Sequence, residues 1–332
     1  MFTAHLQHLI CIACQAPLSF KNPEDATQEK VEAGSLVCTA CATEYPIVKG
    51  VPRFVPSDHY TQAFGFQWLK HAQTQFDSYT GMPVSEKRIR IETKWPEALK
   101  GEKILEAGCG SGRFTEQLLK KGAFIAAFDA SVAVEANYEF HGNNPSVLIV
   151  QADIYKQPFR DGYFDKGLCI GVLQHTPDPK KSIATVASKV RSGGLCVMDI
   201  YRRHPWYRQM WNTKYWARPF FKHLKPETLY KICTAYITIM WPLANIITRL
   251  PYGRSINQKI LIPELLSSSK YKKFSNELHK EWTILHLFDW LNPTYDQPQT
   301  EKTFRSWLSE AGLTNIETGY DYGGVDARAV RL

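Results

Sequence analysis

The stretch that most constrains this chain runs from Lys103 to Tyr201, where short apolar segments alternate with helical ones. KILEA (103–107), AFIAAFD (123–129), VLIVQ (147–151), FDKGLCIGVL (164–173) and GGLCVMDIY (193–201) read as strands with no polar face. Between them, RFTEQLLKKG (113–122), the run from Ser131 to about His141, and SIATVASKV (182–190) read as helices. The first helix carries Phe114, Leu118 and Leu119 on one face and stops at Gly122; Ser131 is placed to cap the second. Strands that are apolar on both faces must be covered on both, and strict β–α alternation gives a parallel sheet with helices on either side. The chain closes differently. TEKTFRSWLSEAG (300–312) reads as a helix, and LTNIETGY (313–320) and VDARAVR (325–331) as strands joined through Tyr322-Gly323-Gly324. A closing hairpin makes the sheet mixed.

With 332 residues there is room for about two domains, and the N-terminal segment has a character of its own. Cys11, Cys14, Cys38 and Cys41 form two C-x2-C pairs. Each pair makes a tight turn that aims two thiolates at one point, which suits tetrahedral zinc. Four protein ligands leave no open position, so the metal is expected to be structural. The segment is small, so zinc is expected to supply much of its folding energy. A redox role is disfavoured, because there are two pairs and no βαβ pattern around either. After Cys41, YPIVKGVPRFVP gives a short strand (Tyr45 to Val48), a turn at Lys49-Gly50 and a boundary near Pro56. A second helix is expected over 84–94, stopped by Trp95-Pro96.

The turn after KILEA is Gly108-Cys109-Gly110-Ser111-Gly112. Its G-x-G-x-G spacing differs from the dinucleotide fingerprint, whose last glycine would fall at Arg113. A glycine loop between a strand and a helix admits close ligand approach, and ligands of open α/β sheets bind at the carboxyl ends of the strands. Asp129 ends the next strand and Asp153 follows the one after. A carboxylate at Asp129 can accept both hydroxyls of a ribose, and one at Asp153 the exocyclic amino group of adenine. Each position also suits a helix N-cap. Together, the loop and two strand-end acids fit a nucleoside.

In order and spacing, ILEAGCGSGRF, AAFDAS, VQADIYKQPF, FDKGLCIGVLQHTPDP and VRSGGLCVMDI resemble the successive motifs of class I S-adenosylmethionine-dependent methyltransferases. The terminal helix–strand–strand resembles that family's hairpin. The resemblance implies a Rossmann-like fold with a mixed seven-stranded sheet. It implies that Glu106 meets the methionine amino group, that Gly108, Gly110 and Gly112 pass close to the cofactor, that Asp129 binds ribose, and that Asp153 with Ile154 holds adenine. The family often has Asp where this chain has Glu106. The ribbon followed by FGFQW resembles a bacterial subgroup with an N-terminal zinc ribbon.

Methyl transfer is an in-line displacement at a sulfonium carbon, so the protein must position the nucleophile and, where needed, take its proton. Enzymes that methylate base amino groups resemble one another in an Asn/Asp-Pro-Pro-Tyr type motif after the fourth strand; here that position reads GVLQHTPDP. His175 sits where acceptor should meet cofactor. It suits a general base toward a hydroxyl, and equally a hydrogen bond within its loop. Gln174 shares the loop and could orient the acceptor. Two further segments are expected to roof the site. FGFQWLKHAQTQFDSYTG sets Gln67, Gln75 and Asp77 among aromatics, and FDWLNPTYDQPQT offers Tyr295 and Asp296 on a loop. The first would serve equally as an ordinary amphipathic helix.

The chain is 44% hydrophobic, 22% charged and carries a net charge of +8, which excludes a disordered tail and does not by itself make a nucleic-acid binder. Residues 202–280, however, hold 15 Lys/Arg against three Glu, interleaved with Trp206, Tyr207, Trp211, Tyr215, Trp216, Phe220 and Phe221. Such an insert can face anionic lipid, grip RNA, close over an acidic substrate, or form a solvated cap around its own aromatic core. Its longest apolar run, Ile232 to Ile247, contains Pro242 and Asn245 and is too short to span a bilayer. With no signal-peptide pattern at the N-terminus, a cytoplasmic location is expected, including a peripheral one at the inner membrane face.

The expected organisation is a zinc ribbon (1–56), a helical lid (57–100), the cofactor half of the core (101–201), a basic helical cap (202–299) and the terminal helix and hairpin (300–332). The expected activity is methylation, at oxygen, of a small-molecule or lipid- or glycan-linked acceptor. One alternative is an RNA methyltransferase; certain rRNA guanine methyltransferases resemble this layout but carry a His in the ribbon. The other is a cofactor-binding scaffold that docks a protein partner.

Overall fold

The computed structural model describes residues 1–55, 62–205, 207, 211–263, 274–322 and 324–332, without the side chains of 62 and 63. The expected boundary at Pro56, and Tyr60, Trp206, Arg208, Glu264, Lys270, Lys272, Lys273 and Gly323, lie outside the described residues.

Strands β1 (Leu18–Phe20), β2 (Gly34–Cys38), β3 (Glu44–Val48) and β4 (Val51–Pro52) form an antiparallel sheet in that order. The β3–β4 turn uses left-handed backbone at Lys49 (φ 51°) and Gly50 (φ 72°). Helices α1 (Gln62–Lys70), α2 (Asp77–Thr80) and α3 (Val84–Thr93) follow. The core then runs β5 (Lys103–Ala107), α4 (Arg113–Lys120), β6 (Phe124–Asp129), α5 (Val134–His141), β7 (Val147–Gln151), β8 (Phe164–Cys169), α6 (Pro179–Lys189) and β9 (Val190–Tyr201). Among the described residues of the cap come next α7 (Thr213–Phe221), α8 (Pro226–Ile247), α9 (Gly253–Lys259) and α10 (Asn276–Leu291). The chain closes with α11 (Glu301–Glu310), β10 (Leu313–Gly319) and β11 (Gly324–Arg331).

The large sheet has seven strands in the order β10-β11-β9-β8-β5-β6-β7, with β5 to β9 parallel and the last two antiparallel. It is mixed and Rossmann-like. The chain enters at β5, builds outward to β7, then returns to add β8 and β9 on the other side of β5. That reversal opens a crevice at the carboxyl ends of β5 and β8, where such sheets bind ligands. One expected detail shifts. α5 begins at Val134, and Ser131 stands ahead of it, accepting from the Ala133 N–H at 3.2 Å and donating to Asp129 at 2.7 Å.

An open sheet edge exposes unpaired backbone groups and must be covered. The ribbon covers β7. Arg53 bridges to Gln151 in parallel register, and the Phe54 N–H donates to the Gln151 carbonyl at 2.7 Å. The buried Arg53 guanidinium donates to Gln151 Oε1 at 2.9 Å and to Glu135 Oε1 at 2.8 Å. Leu9, Leu36, Tyr45, Ile47 and Phe54 of the ribbon share one apolar cluster with Leu148, Val150 and Phe159 of the core. The segment, expected to be too small for a core of its own, thus shares the core of its neighbour.

This interface generates a test. Arg53→Ala removes charge-assisted hydrogen bonds to Gln151 and Glu135 and a longer one to the Val48 carbonyl (3.4 Å), and should destabilise the fold by about 2–4 kcal/mol, seen as a Tm several degrees lower in scanning calorimetry. An unchanged Tm would show that the ribbon contributes nothing through this contact.

Candidate active site and metal centre

Three consecutive backbone donors fix the glycine loop. Gly108 N–H and Cys109 N–H both donate to the Phe128 carbonyl (2.8 and 3.0 Å), and Gly110 N–H donates to Asp129 Oδ2 at 3.1 Å. Asp129 Oδ1 accepts from the Ser131 N–H at 2.8 Å and its hydroxyl at 2.7 Å. The three glycines have left-handed backbone for different reasons. A Cβ on Gly108 (φ 72°) would lie 2.3 Å from Val172 Cγ2. One on Gly112 (φ 98°) would lie 2.5 Å from Asn137 Oδ1, so Gly112 serves helix packing and stands away from the cavity wall. Gly110 (φ 52°) faces the indole of Trp68, whose Nε1 lies 3.4 Å from the position of its missing Cβ.

Above the loop lies a cavity of about 310 Å³. Gly108, Gly110, Ser111, Phe128, Asp129, Ala152 and Ile154 line it together with Gln67, Trp68, Arg88, His175, Tyr201, His286 and Asp289. Glu106 is the penultimate residue of β5, 2% exposed and absent from the cavity wall. Its Oε2 accepts from the Thr115 hydroxyl at 2.6 Å, while Oε1 is buried with no partner among the described residues. Burial pushes its carboxyl up to about 8. An orphaned carboxylate oxygen beneath a glycine loop fits the ammonium of a methionine moiety, and a cavity bordered by the backbone of Gly108 and Gly110 fits close approach of a nucleoside.

The other expected site residues scatter. Asp153 is absent from the cavity wall, and its Oδ1 accepts from the Tyr155 N–H at 2.7 Å. Gln174 is fully buried off the wall, its side-chain amide unpartnered among the described residues and its backbone carbonyl accepting from Gln297 N–H at 2.9 Å. Asp77 caps α3: its oxygens accept from Ser85 N–H at 2.7 Å and Glu86 N–H at 2.8 Å, which turns its carboxylate to the helix end and away from any acceptor. Tyr295 meets His175 through its backbone carbonyl, 3.0 Å from Nδ1. Asp296 pairs with Arg218 and, at 3.5 Å, with Lys214. Gln67 is on the wall, donating to Asp289 Oδ1 at 3.3 Å with its own Oε1 buried and unpartnered.

Sequence reasoning missed several wall residues. On α10, Trp282, His286 and Asp289 recur at helical spacing within an apolar helix, a signal that polar residues at i, i+4 and i+7 could have given. His286 stacks on Trp282 at 5.8 Å, and burial holds its imidazole below the ordinary histidine range. Arg88 of α3 pairs with Glu92 at 2.7 Å and Asp199 at 2.6 Å. Burial raises the Glu92 carboxyl to about 7 and pushes that of Asp199 up as well. Nothing in the α3 sequence announces that its arginine would meet the end of β9.

At the far end of the molecule, the thiols of Cys11, Cys14, Cys38 and Cys41 lie within 4.8 Å of one another. Cys14 is 3.4 Å from Cys38 and 3.5 Å from Cys41, and Cys11 is 3.6 Å from Cys41. Zinc–sulfur bonds of about 2.3 Å in a tetrahedron put sulfurs about 3.8 Å apart, so the four-thiol cluster fits a zinc ion.

Comparison with known proteins bears on the core. Residues 105–198 match the Methyltransferase domain family. This is a class I S-adenosylmethionine-dependent methyltransferase domain. A ubiquinone biosynthesis O-methyltransferase of Alkalilimnicola ehrlichii is 29% identical over 110 residues, covering 32% of this chain and 44% of its own. One of Xanthomonas campestris pv. campestris is 32% identical over 114 residues, covering 32% and 46%. The chain thus spans about half the length of the curated relatives it matches. Among solved structures, human N-acetylserotonin methyltransferase in complex with S-adenosylmethionine gives a TM-score of 0.46 at 12% identity, covering 83% of this chain and 60% of that one.

Two tests follow from the site. Burial pushes the Glu106 carboxyl up to about 8, whereas an unfolded glutamate ionises near 4.5. Burying it protonated therefore lowers stability as pH rises between those values, and an incoming ammonium must displace that proton. S-adenosylmethionine affinity should then rise by up to about tenfold per unit between about pH 6 and 8, and Glu106→Gln should flatten the dependence in calorimetric titrations. A slope retained by the variant would assign it to another group. Separately, the purified protein should hold about one zinc per chain, and Cys11→Ser should lower zinc content and soluble yield together. A variant that folds fully without zinc contradicts a structural metal.

Proposed function

We propose that this chain transfers the methyl group of S-adenosylmethionine to a hydroxyl oxygen on a small-molecule or lipid- or glycan-linked acceptor. The cofactor supplies an electrophilic methyl on a sulfonium whose departure needs no acid. Gly108, Gly110, Asp129 and Ile154 form the wall against which the nucleoside is held, and Glu106 accepts the ammonium. Zinc, held by Cys11, Cys14, Cys38 and Cys41, keeps the knuckles closed and takes no part in the chemistry.

The observation that carries the reading is the setting of His175. It stands on the cavity wall, 9% exposed, between Phe64 (centroids 5.1 Å) and Tyr201 (5.4 Å). A carbonyl only accepts, so the contact with Tyr295 assigns the ring proton to Nδ1 and leaves Nε2 as the acceptor. A neutral imidazole held in that tautomer takes a proton from a hydroxyl as the oxygen attacks, and the Tyr295 carbonyl stabilises the imidazolium that results. Gln67 and Asp289 on the cavity wall are placed to orient the acceptor. The O-methyltransferase names of the matched relatives support oxygen as the target.

His175→Gln should lower kcat by about 10²- to 10⁴-fold while leaving S-adenosylmethionine affinity unchanged. Full activity in the variant would remove His175 from catalysis. Acceptor class is read by labelling a lysate with radioactive methyl from S-adenosylmethionine. Label that survives RNase and partitions into small molecules or lipids supports the reading, and label lost to RNase replaces it with RNA methylation.

A further inference from the structure

Helix α8 is apolar on every side, yet only half of it is covered. Its inner residues Leu229, Cys233, Ile237, Trp241 and Ala244 are buried in the cluster formed with α10. Its outer face carries Ile232, Ile239, Leu243 and Ile246, all exposed, with Ile239 at 75%. No charged residue occurs between Lys231 and Arg249, a stretch about 25 Å long at 1.5 Å per residue. A helix that is hydrophobic all round is normally buried all round. The flanking elements extend the patch: Phe220 on α7 is 79% exposed and Tyr252, before α9, 85%. Trp211, Trp216, Leu250 and Ile256 are exposed as well. Exposed aliphatic and aromatic surface on this scale needs a covering.

The rim indicates what covers it. Lys222, Lys225, Lys231, Arg249, Arg254 and Lys259 are exposed around the patch, against the single acid Glu227 on α8. Protein–protein interfaces are depleted in lysine. An aliphatic face edged with aromatics and flanked by lysines is instead the composition that lies in the headgroup layer of an anionic bilayer. Spanning is not an option, since no helix among the described residues is long and apolar enough to cross a membrane.

We infer that the outer face of α8, with Phe220 and Tyr252, docks on an anionic lipid surface in the interface plane. The placement has a consequence for the site. Ile284, Leu287, Phe288 and Leu291 of α10 pack on α8, while Trp282, His286 and Asp289 of the same helix line the cavity. The docked face is therefore one helix layer from the cavity. The inference does not depend on which acceptor is methylated.

The test uses the whole chain with phosphatidylcholine vesicles made with or without phosphatidylglycerol, in sedimentation assays. The protein should pellet with anionic vesicles at about 0.1 M salt and be released at about 1 M, where the Debye length falls to about 3 Å. Ile239→Glu with Leu243→Glu should abolish pelleting. Lys222→Gln, Lys225→Gln and Lys231→Gln together should weaken it at least about tenfold, since each lysine near an anionic surface contributes about 1 kcal/mol. All these positions are exposed, so zinc content and S-adenosylmethionine binding should stay normal and serve as folding controls. Absence of pelleting with either vesicle, or pelleting indifferent to both variants, overturns the proposal. Failure to pellet combined with a dimer in analytical ultracentrifugation that Ile239→Glu disperses also overturns it, and assigns the face to a second copy. A band shift with RNA that vesicles do not compete overturns it in favour of nucleic acid.

Discussion

Three backbone N–H groups tied to the end of β6 hold the site together. Gly108 and Cys109 share the Phe128 carbonyl, and Gly110 takes one oxygen of Asp129. Gly108 (φ 72°) and Gly110 (φ 52°) make theirs from left-handed backbone that a side chain would strain, which is why glycines flank Cys109 there. Because the donors point down into β6, the loop's upper surface is free to face the cavity. Asp129 anchors the loop and borders the cavity. Of the two expectations for it, a helix N-cap or a ribose contact, its bonds to Ser131 and Gly110 show a local turn, and the ribose contact belongs to the proposed function.

Helix α10 links the remaining parts of the molecule. One side fills the cap's apolar cluster, and the other lends Trp282, His286 and Asp289 to the cavity. The cavity is thus lined jointly by the lid, through Gln67 and Trp68 of α1 and Arg88 of α3, by the cap, through α10, and by the loops and strand ends of the sheet. At the opposite edge, the ribbon closes β7 and leaves the crevice open.

The sheet was legible because apolar strands, a glycine turn and capped helices are local signals with fixed periods. The order β10-β11-β9-β8-β5-β6-β7 agrees with the mixed sheet that the closing hairpin implied. The ribbon cysteines were legible for the same reason: their spacing is a local geometry. Contacts between distant segments were not. Asp77 caps a helix eight residues on, because the α2–α3 turn brings Ser85 N–H within 2.7 Å of it, and no spacing rule marks that turn. Gln174 neighbours His175 in sequence, but the short helical turn Leu173–His175 sends the two side chains to opposite sides, one into the interior and one to the cavity. Arg53 looked like part of a linker, and only the fold shows it buried against β7.

The central claim is that the crevice above Gly108–Gly112 is an S-adenosylmethionine site. Isothermal titration of the purified chain with S-adenosylmethionine, repeated with Gly110→Val, tests it most directly. The native protein should bind one equivalent, and the variant should lose binding; zinc content and far-UV circular dichroism, checked beside it, should show that the chain still folds although valine strains the backbone at φ 52° and lowers Tm. Equal affinity in both proteins, or no heat of binding in the native one, contradicts the assignment.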